Sequence, residues 1–284
     1  MGTYALTGSA SGMGREAARK LREAGHTVIG VDIANADVVA DLSTPVGRQV
    51  AINGVLAACN SALDGAVLAA GLGPAPGAER SRLISQVNYF GVVELLQGWR
   101  PALAATGNAK VVVLGSNSTT TTPAVPKRTV RALLNGDVEK ALRSVRWFRG
   151  TAPTMMYAAS KIAVSRWVRR TAVTAQWAGA GIRLNALAPG AVLTPLLEEQ
   201  LASARQAKAV NAFPLPVGEF ANPAHLADWI CFMLSESADF LCGSVVFVDG
   251  GSDAYFRADD WPRQVPLRRV PSYLYRFGSY RRRR

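Results

Sequence analysis

Thr3-Tyr4-Ala5-Leu6-Thr7-Gly8-Ser9-Ala10-Ser11-Gly12-Met13-Gly14-Arg15-Glu16-Ala17-Ala18-Arg19-Lys20-Leu21-Arg22-Glu23 decides the fold. Thr3 to Thr7 is a short strand pattern. From Arg15 to Glu23 apolar and charged residues recur at helical spacing, and Gly25 stops the helix. Between them Gly8, Gly12 and Gly14 make a G-x-x-x-G-x-G turn rather than the better-known G-x-G-x-x-G. Glycines let a backbone turn sharply and approach a pyrophosphate, whose charge a helix N-terminus favours. A Gly-rich turn needed only for tight packing is the alternative. Asp32 sharpens the dinucleotide reading, with a solvated aspartate ending a strand as the alternative. It ends the next strand, Thr27 to Val31, eighteen residues after Gly14, where a carboxylate grips an adenosine ribose.

The same alternation continues along the chain. A weak strand at Val38-Val39-Ala40 ends in Asp41-Leu42, and a helix spans about 45–59. A strand at Gly65 to Ala70 ends at Gly71, a long helix covers about 80–105, and Val111 to Leu114 form a further strand. Strands alternating with helices predict a doubly wound parallel α/β sheet, with ligands at the carboxyl ends of its strands. Residues 1–253 are expected to form one Rossmann-type NAD(P)-binding domain, with a helical insertion at 117–156 and a substrate flap at 191–215. A basic, aromatic-rich segment follows at 254–284.

Composition removes several function classes. No run reaches the ~18 apolar residues of a membrane span, and Met1 to Leu6 lacks the charged and apolar regions of a signal peptide. Cys59, Cys231 and Cys242 are scattered and odd in number, so they read as thiols in a reducing, cytoplasmic compartment. His26 and His225 stand alone, which argues against a metal centre and against a histidine triad. Another acid–base group is therefore needed. Tyr157-Ala158-Ala159-Ser160-Lys161 offers one, because positions i and i+4 share a helix face. A phenol titrates near ~10. A nearby ammonium, joined by a positive nicotinamide ring, is expected to lower it.

Taken together these motifs resemble the short-chain dehydrogenase/reductase family over roughly residues 3–253. Tyr157 and Lys161 match its catalytic pair, Ser116 its catalytic serine, and Asn88 in Val87-Asn88-Tyr89-Phe90-Gly91 its helix asparagine. Ser118 competes with Ser116, though strand register favours Ser116. The Thr7–Gly14 loop, including Ser11 and Met13, looks like the family's cofactor loop. Pro189-Gly190 with Val192 and Thr194 resembles the segment that contacts the nicotinamide, and Asp249-Gly250-Gly251 its closing strand and turn. The resemblance implies cofactor contacts at Ile33, Asp41, Leu42, Ala70 and Gly71 as well. Two departures stand out. Leu68-Ala69-Ala70-Gly71 replaces Asn-Asn-Ala-Gly, and forty residues separate Ser116 from Tyr157, far more than is common. Ala69 through Pro74, Val87 through Gly91 and Ile182-Arg183-Leu184-Asn185 with Ala188-Pro189-Gly190 are similar to the bacterial 3α-hydroxysteroid dehydrogenase/carbonyl reductase branch.

The resemblance implies hydride transfer between NAD(H) and a secondary alcohol or ketone. NAD is favoured over NADP because Asp32 repels a 2′-phosphate and residues 31–36 hold no Arg or Lys. Leu193, Pro195, Leu196, Leu197, Leu201 and Phe213, with Met155, Met156, Trp147 and Phe148, suggest either an apolar cleft for a lipophilic substrate or plain core packing. A dehydrogenase of aliphatic or sugar alcohols and a non-catalytic NAD(H) sensor are the alternatives. The basic residues of the insertion, interleaved with apolar ones, suggest an amphipathic lid or a subunit contact. A homo-oligomer, dimer or tetramer, is the default expectation. The segment from Ala254 holds nine arginines against Asp259 and Asp260, +7 of the chain's +12. A solvated extension, or one packed on a neighbouring subunit, is the favoured reading there. Attachment to an anionic membrane stands second, and nucleic-acid binding a distant third.

Overall fold

The computed structural model describes residues 1–202, 204–262 and 264–279. Arg263, Tyr280 and Arg281 through Arg284 of the basic segment lie outside the described residues. The elements run β1 (Thr3–Thr7), α1 (Gly12–Glu23), β2 (Thr27–Asp32), β3 (Val38–Val39), α2 (Pro45–Ala58) and β4 (Gly65–Leu68). Next come α3 (Arg80–Ser85), a single π turn (Gln86–Phe90), α4 (Gly91–Ala105) and β5 (Lys110–Leu114). The insertion follows as α5 (Ser118–Thr121), α6 (Lys127–Leu134) and α7 (Val138–Val145). Then come α8 (Ala152–Thr171), β6 (Arg183–Pro189), α9 (Pro195–Ala202), α10 (Ala204–Asn211), α11 (Pro223–Leu234), β7 (Val245–Val248), α12 (Ser252–Arg257) and α13 (Val270–Ser279).

All seven strands are parallel, in the order β3-β2-β1-β4-β5-β6-β7. Successive strand residues point to opposite faces, so two cores form. Ala5, Ala66, Val111 and Val113 face the side packed with Leu95, Leu96 and Trp99 of α4 and Val164 of α8. Leu6, Val67, Val112 and Leu114 face Ala17 and Leu21 of α1 and Leu226, Ile230 and Met233 of α11. Burying each Leu or Val side chain contributes roughly 1.5–3 kcal/mol. Strands apolar on both faces are thus stable only between two helical layers. The sheet reverses winding at β1/β4, which opens a crevice at their carboxyl ends.

Helices α6 and α7 of the insertion do not lie over that crevice, although Ser118 and Thr121 of α5 line it. Val130, Leu133, Ala141 and Val145 are buried as the inward stripes of α6 and α7, which pack on α8 and α3. Arg82 of α3 bonds Glu139 of α7 at 2.7 Å. The lid reading is therefore replaced by a brace on the outside of α8, and Trp147, 86% exposed, points to solvent.

Candidate active site

The carboxyl ends of the strands assemble two half-sites. At the first, the start of α1 is pressed onto the glycine loop. A Cβ on Gly14 would lie 2.1 Å from the Gly8 carbonyl oxygen, and one on Gly8, at φ +72°, would lie 2.8 Å from the Ala70 nitrogen. Gly12 faces the Thr194 side chain. Ser11, the exposed residue that begins α1, makes no side-chain cap, and the first turn, with Met13, holds no acidic residue. Its N–H groups therefore meet an anion without competition. Asp32 ends β2 with Oδ2 accepting from Ala10 N–H at 2.9 Å and Oδ1 from Ile33 N–H at 2.7 Å. A carboxylate oxygen accepts twice, so each retains a lone pair for a ribose hydroxyl. Asp41 is exposed and accepts from Ser43 N–H at 2.9 Å. Ile33 is 69% exposed, whereas Leu42 is buried in the core and offers its carbonyl to Arg48 at 3.1 Å. The buried Arg48 also bonds Glu94 at 2.6 Å and Gln86 at 2.9 Å, which holds this corner to α4.

The second half-site gathers on α8. Lys161 is buried, its Nζ lies 5.9 Å from the Tyr157 ring centroid, and it donates to the Leu114 carbonyl at 2.7 Å. Tyr157 and Ser116 line the same cavity, and the Ser116 Oγ accepts from Ser118 N–H at 3.1 Å. The backbone N–H of Ser118 orients Ser116, while the buried Ser118 Oγ has no partner. Asn88 is fully buried in the π turn, a feature frequent at functional sites. It accepts from Leu72 N–H at 2.8 Å and donates to Leu72 C=O at 2.9 Å. A Cβ on Gly71 would lie 3.5 Å from Asn88 Oδ1 and 3.8 Å from Lys161 Nζ, so this glycine runs between the two.

Electrostatics differ from the expectation of a phenol lowered by its ammonium. Burial pushes the Tyr157 phenol up, with the neighbouring Ser116 side chain opposing it. Burial also pulls Lys161 down to about 8. The physical reason is desolvation, which penalises whichever form is charged. It acts on both groups before any other charge enters the site.

A cavity of about 400 Å³ opens in front of these groups. Leu72, Leu196, Leu197, Val210 and Phe213 give it apolar walls, with Ser116, Tyr157, Lys161, Pro189, Gly190, Val192 and Thr194 at its floor and rim. Met156 is instead fully buried core, Met155 packs against that core, and Leu193 turns outward at 42% exposure. Sequence reasoning missed Asn117, Thr121 and Thr154, which also line the cavity. Thr154 carried a signal, standing three residues before Tyr157 on the same helix. Asn117 carried none: its N–H donates to Pro189 C=O at 2.9 Å, and its amide meets Asp249, 132 residues away. Asp249 in turn accepts from the N–H groups of Gly251 and Asp253, fixing the turn after β7.

Three comparisons with known proteins bear on this geometry. A family model described as enoyl-(acyl carrier protein) reductase matches residues 141–253. The chain is 38% identical to the 3-alpha-hydroxysteroid dehydrogenase/carbonyl reductase of Comamonas testosteroni, over 90% of this chain and 98% of that protein. It is 31% identical to a coniferyl-alcohol dehydrogenase of a Pseudomonas species, over 87% of this chain and 94% of that protein. Among solved structures, the 3-alpha-hydroxysteroid dehydrogenase from another Pseudomonas species, complexed with NADH, superposes with a TM-score of 0.84 at 43% identity. That match covers 91% of this chain and all of the other.

Proposed function

The chain belongs to the short-chain dehydrogenase/reductase family, and on that premise we propose that it interconverts a lipophilic secondary alcohol and its ketone with NAD(H), using Ser116, Tyr157, Lys161 and Asn88. One observation carries the reading. Tyr157, Ser116 and Lys161 line one largely apolar cavity, with Lys161 Nζ 5.9 Å from the Tyr157 ring and Met13 of the glycine loop at its rim.

A nicotinamide dinucleotide fits the chain's own donors: the uncapped first turn of α1 takes the pyrophosphate, and Asp32 takes the adenosine ribose. When bound it supplies the hydride acceptor in one direction and the donor in the other. The free lone pairs of Asp32 and the lack of Arg or Lys at 31–36 support NAD(H) over its 2′-phosphorylated form. Ser116 holds the substrate oxygen, and Tyr157 exchanges a proton with it. Because burial keeps the phenol protonated, Tyr157 is stored as the acid for ketone reduction. For alcohol oxidation a positive charge must enter the pocket before the phenolate is accessible. Lys161 spends one proton on Leu114 and keeps two for a ribose hydroxyl and the phenol side. Asn88 uses one Oδ1 lone pair and one Nδ2 hydrogen on Leu72. The remaining pair is free to hold a water beside Lys161 for passing the proton outward.

The cavity volume lies within the 300–1,000 Å³ of small-molecule sites, and its leucines and Phe213 favour a bulky hydrocarbon frame such as a 3α-hydroxysteroid over a sugar. Residues 1–253 as one dinucleotide-binding domain belong to the same reading. So does a reducing cytoplasmic setting, supported by three unpaired thiols. Self-association is supported by Trp229 and Phe232 of α11 and Phe240 in the turn after it, all exposed; light scattering at the monomer mass would remove that part. The decisive test is Tyr157→Phe. NADH binding by fluorescence should stay within about twofold, while turnover over a panel of steroids, aliphatic alcohols and polyols falls about 10²–10⁴-fold. Retained turnover would take Tyr157 out of the mechanism, and activity confined to polyols would overturn the substrate class.

A further inference from the structure

The segment beyond the catalytic body contains a helix whose apolar face is left uncovered by the described residues. In α13, Val270, Tyr273, Leu274 and Phe277 stand at i, i+3, i+4 and i+7, so they form one stripe. All four are exposed, Leu274 at 60% and Phe277 at 79%, and no residue of the helix is buried. Ser272, Arg276 and Ser279 take the other side. Arg268 and Arg269 enter the helix, and the sequence continues into Arg281 through Arg284. From Trp261 to Arg284 there are eight arginines and no Asp or Glu. Trp261 and Leu267, 70% and 89% exposed, extend the apolar material ahead of the helix. The two steroid-dehydrogenase relatives leave about a tenth of this chain unmatched, and the family model ends at residue 253.

We propose that α13, with Arg268 and Arg269 before it, forms an interfacial anchor that lays the Val270–Phe277 stripe into an anionic phospholipid surface. A helix with an apolar stripe, a polar back and flanking arginines lies in the headgroup plane. It gains from hydrocarbon burial and from attraction to acidic headgroups together. A second copy of the chain is a poorer partner, because a protein of net +12 would bring arginines against arginines. A nucleic acid would satisfy the arginines and stack on the rings, but it offers nothing to Val270 and Leu274. Lipid satisfies every member of the stripe and every arginine at once. This inference does not rest on the dehydrogenase reading.

The test is co-sedimentation of the full chain with vesicles of phosphatidylcholine and phosphatidylglycerol at seven parts to three, alongside pure phosphatidylcholine vesicles. Far-UV circular dichroism monitors the fold of each variant. The wild-type chain should partition onto the mixed vesicles and not the pure ones, and raised salt should weaken it. The double variant Leu274→Glu, Phe277→Glu should lose at least tenfold in partitioning with its circular dichroism spectrum unchanged. Arg268→Ala with Arg269→Ala should lose about 25-fold, from roughly fivefold per arginine. Three results would each overturn the proposal: wild-type chain that stays in the supernatant, a glutamate variant that partitions like wild type, or single-stranded DNA that displaces the protein from vesicles.

Discussion

Lys161→Met should make this protein more stable at neutral pH while abolishing its chemistry. Burial lowers the Lys161 ammonium from 10.5 to about 8, and each pKa unit corresponds to about 1.4 kcal/mol. The folded chain at pH 7 therefore carries a penalty of about 3 kcal/mol for keeping this charge away from water. Between pH 8 and 10.5 the unfolded chain binds more protons than the folded one, so wild-type stability must rise with pH across that window. Below pH 8 both states are protonated and the penalty is complete. Methionine fills the same volume without charge but forfeits the 2.7 Å bond to Leu114, a loss of about 1 kcal/mol. The net expectation is a variant more stable by about 2 kcal/mol at pH 7. By pH 9.5 the wild type recovers about 2 kcal/mol and the gap closes. Urea unfolding of both proteins at the two pH values, followed by circular dichroism, measures the gap; other titrating groups cancel in the difference. A variant less stable than wild type at pH 7, or a gap that does not narrow by pH 9.5, would refute the burial argument.

Gly14→Ala should act on the other half-site. Its Cβ would sit 2.1 Å from the Gly8 carbonyl, so helix and loop must separate. Stability should fall by about 1–3 kcal/mol in denaturation, and NADH affinity by about 100-fold in fluorescence titration. Asp32→Ala removes the acceptor of Ala10 and Ile33 N–H. It should weaken NAD by about 10- to 100-fold and raise the relative kcat/KM for NADP; an unchanged cofactor ratio would remove Asp32 from ribose recognition. Phe213→Ala, at the cavity wall, should raise KM for a bulky lipophilic alcohol about tenfold with little change for a small one.

Much of this architecture was legible without coordinates because it is written in local periodicity. Strand-to-glycine-to-helix spacing around Gly8, Gly12 and Gly14 announced a parallel α/β sheet, and the observed strand order agrees with it. The Tyr157/Lys161 spacing announced two groups on one face of α8, and both line the cavity. What spacing cannot carry is which side of a helix meets the core. Met155, Met156, Leu193 and Phe213 look alike in a sequence, yet Met156 is core, Leu193 faces water and Phe213 lines the cavity. The insertion shows the same limit. Its amphipathic pattern was plain, but its packing against α3 and α8 rather than over the crevice was not.

By itself, then, the sequence determined the alternation of elements, the glycine turn, the acid at the end of β2 and the catalytic spacing. Each is carried by spacing along the chain, from the i, i+4 step of Tyr157 and Lys161 to the eighteen residues between Gly14 and Asp32. Only the tertiary structure decided the direction of the Tyr157 and Lys161 shifts, the pairing of Asn117 with Asp249 and the uncovered stripe of α13. Desolvation and contact are set by neighbours from distant parts of the chain, and no local pattern records how closely those neighbours pack.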